Sequence, residues 1–481
     1  MYDLFPVARV LGWLLIILGG CLLVPLATDL LAAGRDWPAV ALAVFACLAM
    51  GSLCAAFGHE AGEFSLDRRQ AFLCTASAWV ILPAFAAVPF LGIGLGPVDA
   101  YFEAVSGFTT TGSTVVSGLD ALPPGILLWR SFLQWLGGIG IIVMALLLMP
   151  FMRVGGMQLF KTESSDTSDK VLTHAADTVR YICGLYLGLS ALCALTYGLF
   201  GMSGFDALNH AMTTISTGGY STHDASFGYF GSPWLRWAGI VFMLLGAIPF
   251  VVYIRALTSS RMNLGADAQV RAFLVFLALV SIGLGLWHAA AQDLPFGVAL
   301  TDAAFNVISV VTTTGYATTD YTLWGAPAIS AFFLLTFIGG CSGSTSGGIK
   351  IYRFQILFKL ILSHLRHLVS PSRVDPISYN QRRIDADVML SVLSFLIIFL
   401  VTVALVALAL GLMGLDLITA LTAAATAVAN VGPGLGSVIG PAGNFSSLPD
   451  AAKLILTFAM IAGRLEFFTL MVMLTGAFWV R

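Results

Sequence analysis

Charge is what this sequence has least of: Asp, Glu, Lys and Arg make up 10% of 481 residues, against 58% hydrophobic ones. That balance excludes a soluble protein and points to a membrane one. The 23 basic and 25 acidic residues nearly cancel, so no basic excess would draw a nucleic acid. Seven cysteines lie scattered through apolar runs with no close pair, which argues against a disulfide framework or a zinc site. Phosphate-binding-loop and Rossmann patterns are absent, and the glycines of Gly339 to Gly348 lack a lysine and hydroxyl at the required spacing, so no nucleotide site is expected on this chain. No polar catalytic pair stands on an apolar run, and an enzyme is not expected. His174, His223, His364 and His367 read as isolated, solvated loop residues.

What the chain has is apolar length. A bilayer core of about 30 Å takes roughly 20 apolar residues per helix. The clearest runs are Val7 to Ala33, Trp37 to Gly58, Ala71 to Gly92, Gly125 to Met152, Tyr181 to Phe200, Trp234 to Tyr253, Ala272 to Ala291, Met389 to Leu415 and Ala452 to Val480. The first ends in small residues but is longer than a signal core, and reads as a retained helix. Basic residues gather in four segments: Arg68 and Arg69; Arg153, Lys161, Lys170 and Arg180; Arg255, Arg261 and Arg271; and Lys350, Arg353, Lys359, Arg366, Arg373, Arg382 and Arg383. The positive-inside rule makes these cytoplasmic. The other side keeps Arg35, Arg130, Arg236 and Lys453 and is otherwise acidic, with Asp99, Glu103, Asp120, Asp206, Asp224, Asp302, Asp320 and Asp450, a face expected to concentrate cations.

At each outer turn a short amphipathic stretch leads into a small polar cluster: "VDAYFEAVSGFTTTGST", "FDALNHAMTTISTGGYST", "TDAAFNVISVVTTTGYAT" and "LDLITALTAAATAVANVGPGLGS". An Asp precedes the key glycine by 13 residues in the first three and by 16 in the fourth. Copies recur roughly every 100 residues, too far apart for a solenoid and long enough for a small membrane module. The stretch from Asp302 to Val311, with its Asp near the start, would be a half-helix of about 15 Å that cannot span. Irregular backbone after it is tolerated only where protein buries it or a wet cavity receives it. Glycine there lets successive carbonyls turn to one side, as oxygens that replace the hydration shell of a potassium ion. Each cluster alone could be an ordinary turn. Together they read as a four-sector filter: Thr110, Thr111 and Gly112; Thr217, Gly218 and Gly219; Thr313, Thr314 and Gly315; Asn430, Val431 and Gly432.

Two further features lie beyond the clusters. The run "FIGGCSGSTSGGIK", Phe337 to Lys350, interrupts a helix otherwise expected from about Ala326 to Leu365. Flanks too short to span alone put this break inside the membrane, facing a cavity, although a plain connecting loop has the same composition. Arg464 sits in the middle of "TFAMIAGRLEFFTLMVML", where a charge costs about 2.5 to 3.5 kcal/mol. It suits either a cationic barrier in a pore or a buried pairing with another helix. Glu466 points to a different face, so no local salt bridge is expected. Glu103, Asn209 and His210 suit packing or mouth roles.

The motifs "GFTTTGST", "TTISTGGYSTHD", "VVTTTGYATTDY", "ANVGPGLGS" and "GRLEFFT" resemble those of the TrkH family of bacterial potassium-uptake proteins, within the superfamily that also holds KtrB and the plant HKT proteins. The resemblance covers essentially the whole chain. It implies an all-α polytopic fold: a pair of transmembrane helices in 1–66, then pore repeats in 67–155, 156–260, 261–366 and 367–481, with an intramembrane gating loop at 339–348. The family's filter glycines map onto Gly112, Gly219, Gly315 and Gly432, with Gly218 as a substitute in the second loop. Its gating elements map onto Gly339, Gly340, Gly343, Gly347, Gly348, Lys350 and Arg464. The implied cargo is potassium, the implied location the bacterial inner membrane with its lipid, and the implied partners a second copy of the chain and a cytosolic TrkA ring that would hold the nucleotides. Asn430, Val431 and Pro433 depart from the threonine pattern. A symporter coupled to protons or sodium stays open beside a channel-like pathway.

Overall fold

The computed structural model of the chain describes residues 4–32, 34, 36–57, 66–148, 175–258, 265, 267–372, 377–379 and 382–479. Arg35, Arg153, Lys161, Lys170, Arg261, Arg373 and His174 lie outside the described residues. Among those described, seven helices are long and apolar enough to cross a membrane, or up to nine if two bent pairs each form one span. The fold is thus the expected all-helical, multi-pass one, with one small hairpin at Ser378–Tyr379 and Arg382–Arg383.

Helices α1 (Phe5–Leu31) and α2 (Trp37–Phe57) pack on each other. Four units follow, each a first helix, a short helix and a second helix. The first has α3 (Arg68–Ala86) continued by α4 (Val88–Gly92), then α5 (Pro97–Phe108) and α6 (Pro124–Leu148). Next come α7 (Ala175–Leu199), α8 (Gly204–Ile215), and α9 (Pro233–Ala247) continued by α10 (Phe250–Thr258). The third unit holds α11 (Ala268–Gln292), α12 (Phe296–Val311), and α13 (Ala326–Thr336) with α14 (Ile351–Val369). In the fourth are α15 (Ala386–Leu412), α16 (Leu417–Ala429), α17 (Gly436–Ile439), and α18 (Asp450–Arg464) followed by α19 (Phe468–Leu474) and α20 (Gly476–Trp479).

Helix starts follow local chemistry. Asp67 and Gln70 form a reciprocal capping box on α3, while Ser203, Asp267 and Asp416 accept first-turn N–H groups of α8, α11 and α16. Proline opens α5 and α9, where its missing N–H costs nothing. The short helices hold 12, 12, 16 and 13 residues, and even α12, about 24 Å long, falls short of the bilayer core. It is longer than the stretch expected from Asp302, because Pro295 takes the N-cap and Asp302 falls in the second turn.

The second helix of each unit packs on the short helix of the next: α6 on α8, α9 on α12, α13 on α16, and α18 on α5. The last contact closes a ring. Burial follows from it, since α6 is buried over 61% of its apolar window and α2, α7, α11 and α15 over 28%, the latter leaving broad faces for lipid. Two runs expected to be continuous are sharply bent, α9 to α10 by 92° and α18 to α19 by 108°. At the first bend Pro249 holds Ile248 in extended backbone. At the second, Glu466 and Phe467 take left-handed angles of 55° and 52°.

Candidate ion pathway

The short helices all end in one way. After α5 the N–H groups of Thr110 and Thr111 donate to the carbonyls of Gly107 and Ser106 at 3.0 and 2.9 Å. Thr217 and Gly218 reach Thr214 and Thr213 at 3.0 and 2.8 Å, and Thr313 and Thr314 reach Val310 and Ser309 at the same distances. Asn430 and Val431 reach Ala427 and Thr426 at 3.4 and 3.1 Å. This pair of hydrogen bonds to the last turn requires a left-handed residue, usually glycine. Here Thr110, Thr217, Thr313 and Asn430 take that role with φ of 55°, 52°, 58° and 55°. A Cβ in that region costs about 1 to 2 kcal/mol, and asparagine tolerates it best, which accounts for the departure at Asn430.

Two residues on, Gly112, Gly219, Gly315 and Gly432 are left-handed as well, at 85°, 77°, 82° and 115°, while the residues between are not. All these peptides are trans. A trans peptide points its N–H and C=O in opposite directions, so N–H groups turned back to the helix direct the carbonyls of Thr110, Ser216, Thr217, Thr312 and Thr313 away from it. The loops then interlock in the order of the ring. A Cβ built on Gly112 would lie 2.2 Å from the Gly218 oxygen, on Gly219 1.8 Å from that of Thr314, on Gly315 2.1 Å from that of Val431, and on Gly432 3.0 Å from that of Thr111. The four glycines line one mouth of about 540 Å³, including the part open to solvent. Gly219, not Gly218, takes the ring position in the second loop; Gly218 supplies the oxygen opposite Gly112.

Tyrosines absent from the sequence-based site tie the units together. The Tyr220 hydroxyl donates to the Glu103 carbonyl at 3.0 Å, and that of Tyr316 meets the Thr213 hydroxyl at 2.5 Å, so each reaches back to the preceding unit's short helix. The repeated Gly-Tyr after the second and third clusters was the available signal. Ser113 does similar work from the first unit, donating to the Gly432 carbonyl at 2.7 Å.

The acidic face is less free than its composition suggests. Glu103 and Arg130 form a buried pair at 2.9 Å, Asp302 pairs with Arg236 at 2.8 Å, and Asp99 with Lys453 at 2.5 Å. Each basic residue comes from a second helix and braces a short one. Arg130 also donates to the Ser221 carbonyl at 3.0 Å and the Thr114 hydroxyl at 3.2 Å, and lies 4.1 Å from the centre of the Tyr220 ring. Removing one partner strands a buried charge, so Arg130→Met should lower unfolding free energy by roughly 3 to 5 kcal/mol. Thermal melting of purified protein checks this, and an unchanged midpoint would contradict it. His223 is not a solvated loop residue: it pairs with Asp120, stacks on Tyr229 at 3.5 Å and lies 3.4 Å from Asp206. The hydrogen bond from His223 holds the Asp120 carboxyl below its ordinary range. His364 and His367 are exposed on α14 rather than in loops, while Asn209 and His210 are buried and bonded to backbone within α8.

Between α13 and α14 the chain leaves the helix as expected. Its ends are pinned where Ile338 pairs with Ile349, and Gly343 and Gly348 are left-handed at 77° and 65°. The tip meets the undersides of the loops. Gly347 N–H donates to the Thr313 hydroxyl at 2.6 Å, Gly348 N–H to the Ala429 carbonyl at 2.8 Å, and Thr217 to the Thr345 hydroxyl at 3.2 Å. Gly347 lies so close to Ala429 that a Cβ would stand 2.4 Å from its oxygen. At the loop's neck Gly339 faces the Gly347 carbonyl, Gly340 faces Ser346, and the Lys350 ammonium donates to the Ser346 carbonyl. Arg464 is buried and donates to the Thr345 carbonyl at 2.9 Å, while its Nε and Nη2 find no partner among the described residues. Glu466 turns away from it and pairs with Arg353 at 2.7 Å, whose guanidinium lies 3.6 Å from the centre of the Phe395 ring.

This architecture has relatives. A family model described as TrkH, cation transport protein, matches residues 37–479. The Trk system potassium uptake protein TrkI of Halomonas elongata is 48% identical over 477 residues, covering 98% of this chain and 96% of that protein. TrkH of Escherichia coli K12, also titled a Trk system potassium uptake protein, is 36% identical over 484 residues, covering 98% and 99%. The crystal structure of the potassium transporter TrkH from Vibrio parahaemolyticus superposes with a TM-score of 0.92 at 33% identity, over 100% of both chains.

Proposed function

The chain belongs to the TrkH family of membrane transporters rather than enzymes, and we propose that it carries potassium inward across the bacterial inner membrane through a gated, channel-like pathway. The observation that supports this most is the closed ring in which each glycine faces the carbonyl of the next loop, all within one mouth. The ion-coordinating groups are the carbonyls of Thr110, Thr111 and Gly112 and of their counterparts Thr217 to Gly219, Thr313 to Gly315 and Asn430 to Gly432. Small polar side chains and fixed dipoles there replace water around a bare cation. The ends of α5, α8, α12 and α16 add negative potential at the same point.

Below the ring, the loop around Thr345 and Gly347 closes the pathway, and the edge of Arg464 left unpaired among the described residues adds a positive barrier. Family naming as a Trk system supports a partner subunit; we assign the cytoplasmic segments to a TrkA-type nucleotide-binding ring and the lipid-facing helices in part to a homodimer. Potassium is cargo, and any regulatory nucleotide sits on the partner.

Coupling to protons or sodium calls for a free carboxylate along the route. Glu466 is held by Arg353 and Glu103 by Arg130, which favours passive flow. Potassium-limited growth of a strain without other uptake systems should depend on the chain. Reversal potentials measured under imposed proton and sodium gradients should stay at the potassium value; a potential that tracked those gradients at fixed potassium would replace the channel by a symporter.

A further inference from the structure

The second loop differs from the other three at the position before its ring glycine. Thr111, Thr314 and Val431 are β-branched there, and the two threonine hydroxyls bond to those of Thr109 and Thr312 at 2.7 and 2.8 Å. The second loop has Gly218 instead, and a Cβ built on it would lie 2.4 Å from the Gln134 Cδ. Gln134, buried on α6, fills the space of the missing side chain. Its Nε2 donates to the Gly218 carbonyl at 2.6 Å, and its Oε1 accepts from Tyr220 N–H at 3.0 Å. The carbonyls of Thr111, Thr314 and Val431 accept no hydrogen bond among the described residues.

Resting on the filter reading above, we propose that Gln134 is a specificity-determining positioning residue: it holds one of the four ring oxygens from behind and sets the ring's width and field at that point. Two consequences follow from the geometry. A carbonyl tied to an amide cannot rotate to follow a smaller ion, so sodium, which needs shorter contacts, is penalised at this sector. The amide bracket also spans Gly218 and Tyr220, so it fixes the loop on both sides of Gly219.

The experiment compares potassium over sodium permeability ratios, from bi-ionic reversal potentials, for Gln134→Leu, Gln134→Glu and the double variant Gln134→Ala with Gly218→Thr. The leucine removes both bonds and the glutamate keeps only the acceptor for Tyr220. Each single variant should lower the ratio about fivefold, the size of one net hydrogen bond, while still conducting. The double variant, with a threonine restored where Gln134 made room, should recover most of the ratio. An unchanged ratio in either single variant, or a uniform loss of flux at constant ratio, overturns the proposal. If Gln134→Leu does not accumulate, the double variant decides: recovery of protein and ratio supports it, and failure of either overturns it. Gly315→Ser, run in parallel, separates the two readings: if it leaves the ratio unmoved the filter itself fails, and if it alone lowers the ratio only the role of Gln134 fails.

Discussion

Gly219→Ala should abolish potassium-limited growth while the protein is still made and inserted. The added Cβ would lie 1.8 Å from the Thr314 oxygen, inside any real contact, and φ at this position is 77°. Left-handed backbone alone charges a non-glycine residue about 1 to 2 kcal/mol. Overpacking against backbone that cannot rotate aside adds about 1 to 3 kcal/mol. Relief requires moving Thr314, which displaces an oxygen of the ring, and a change of about 1.4 kcal/mol in one ion's site energy is already tenfold in preference. Alanine at Gly315 and Gly112, whose added Cβ would lie 2.1 and 2.2 Å from a backbone oxygen, should do nearly as much. Gly432→Ala, whose nearest atom is 3.0 Å away, should be the mildest of the four. Growth at graded potassium, normalised to membrane abundance, measures that order; equal tolerance at Gly219 and Gly432 would contradict the interlocked ring.

Arg464→Ala should raise rubidium uptake by tenfold or more. A cation passing about 4 Å from an uncompensated guanidinium meets roughly 4 kcal/mol of repulsion at an effective dielectric constant near 20. Among the described residues its side chain has two unpartnered nitrogens and one bond, to the Thr345 carbonyl of the loop. Alanine removes both the charge and that latch. Arg464→Gln separates them, because it keeps a donor and loses the charge: a rise in both variants assigns the effect to charge, and a rise in alanine alone assigns it to the latch. An unchanged or lower rate in protein that melts normally would remove Arg464 from the pathway.

The repeat was legible because its marks are local: a short amphipathic stretch, a cluster of threonine and glycine, and a return to apolar sequence. The break at 337–350 was legible for the same reason, five glycines in ten residues being no helix. Handedness was not. Glycine announces backbone freedom, but nothing in "TTTG" or "STGG" shows that Thr110, Thr217 and Thr313 are left-handed too. That conformation comes from closing a helix whose end is held by its neighbours. The bends after α9 and α18 were also hidden, the first marked only by Pro249 and the second by no proline at all. Pairings across units left no local trace: Arg236 meets Asp302 and Lys453 meets Asp99 across sequence gaps that composition treats as independent charges. Gln134 is the extreme case, an unremarked polar residue in an apolar helix until the fold sets it against Gly218, 84 positions on.

A single measurement bears most directly on the four-loop pathway: the reversal potential of purified protein in planar bilayers with potassium on one side and sodium on the other, for wild type and Gly315→Ser. Wild type should reverse far from zero, in the sense set by a potassium permeability well above that of sodium, and the serine variant should shift toward zero as sodium enters. A wild-type potential that sits near zero, or one that Gly315→Ser leaves in place, would contradict a potassium-selective ring built from these loops.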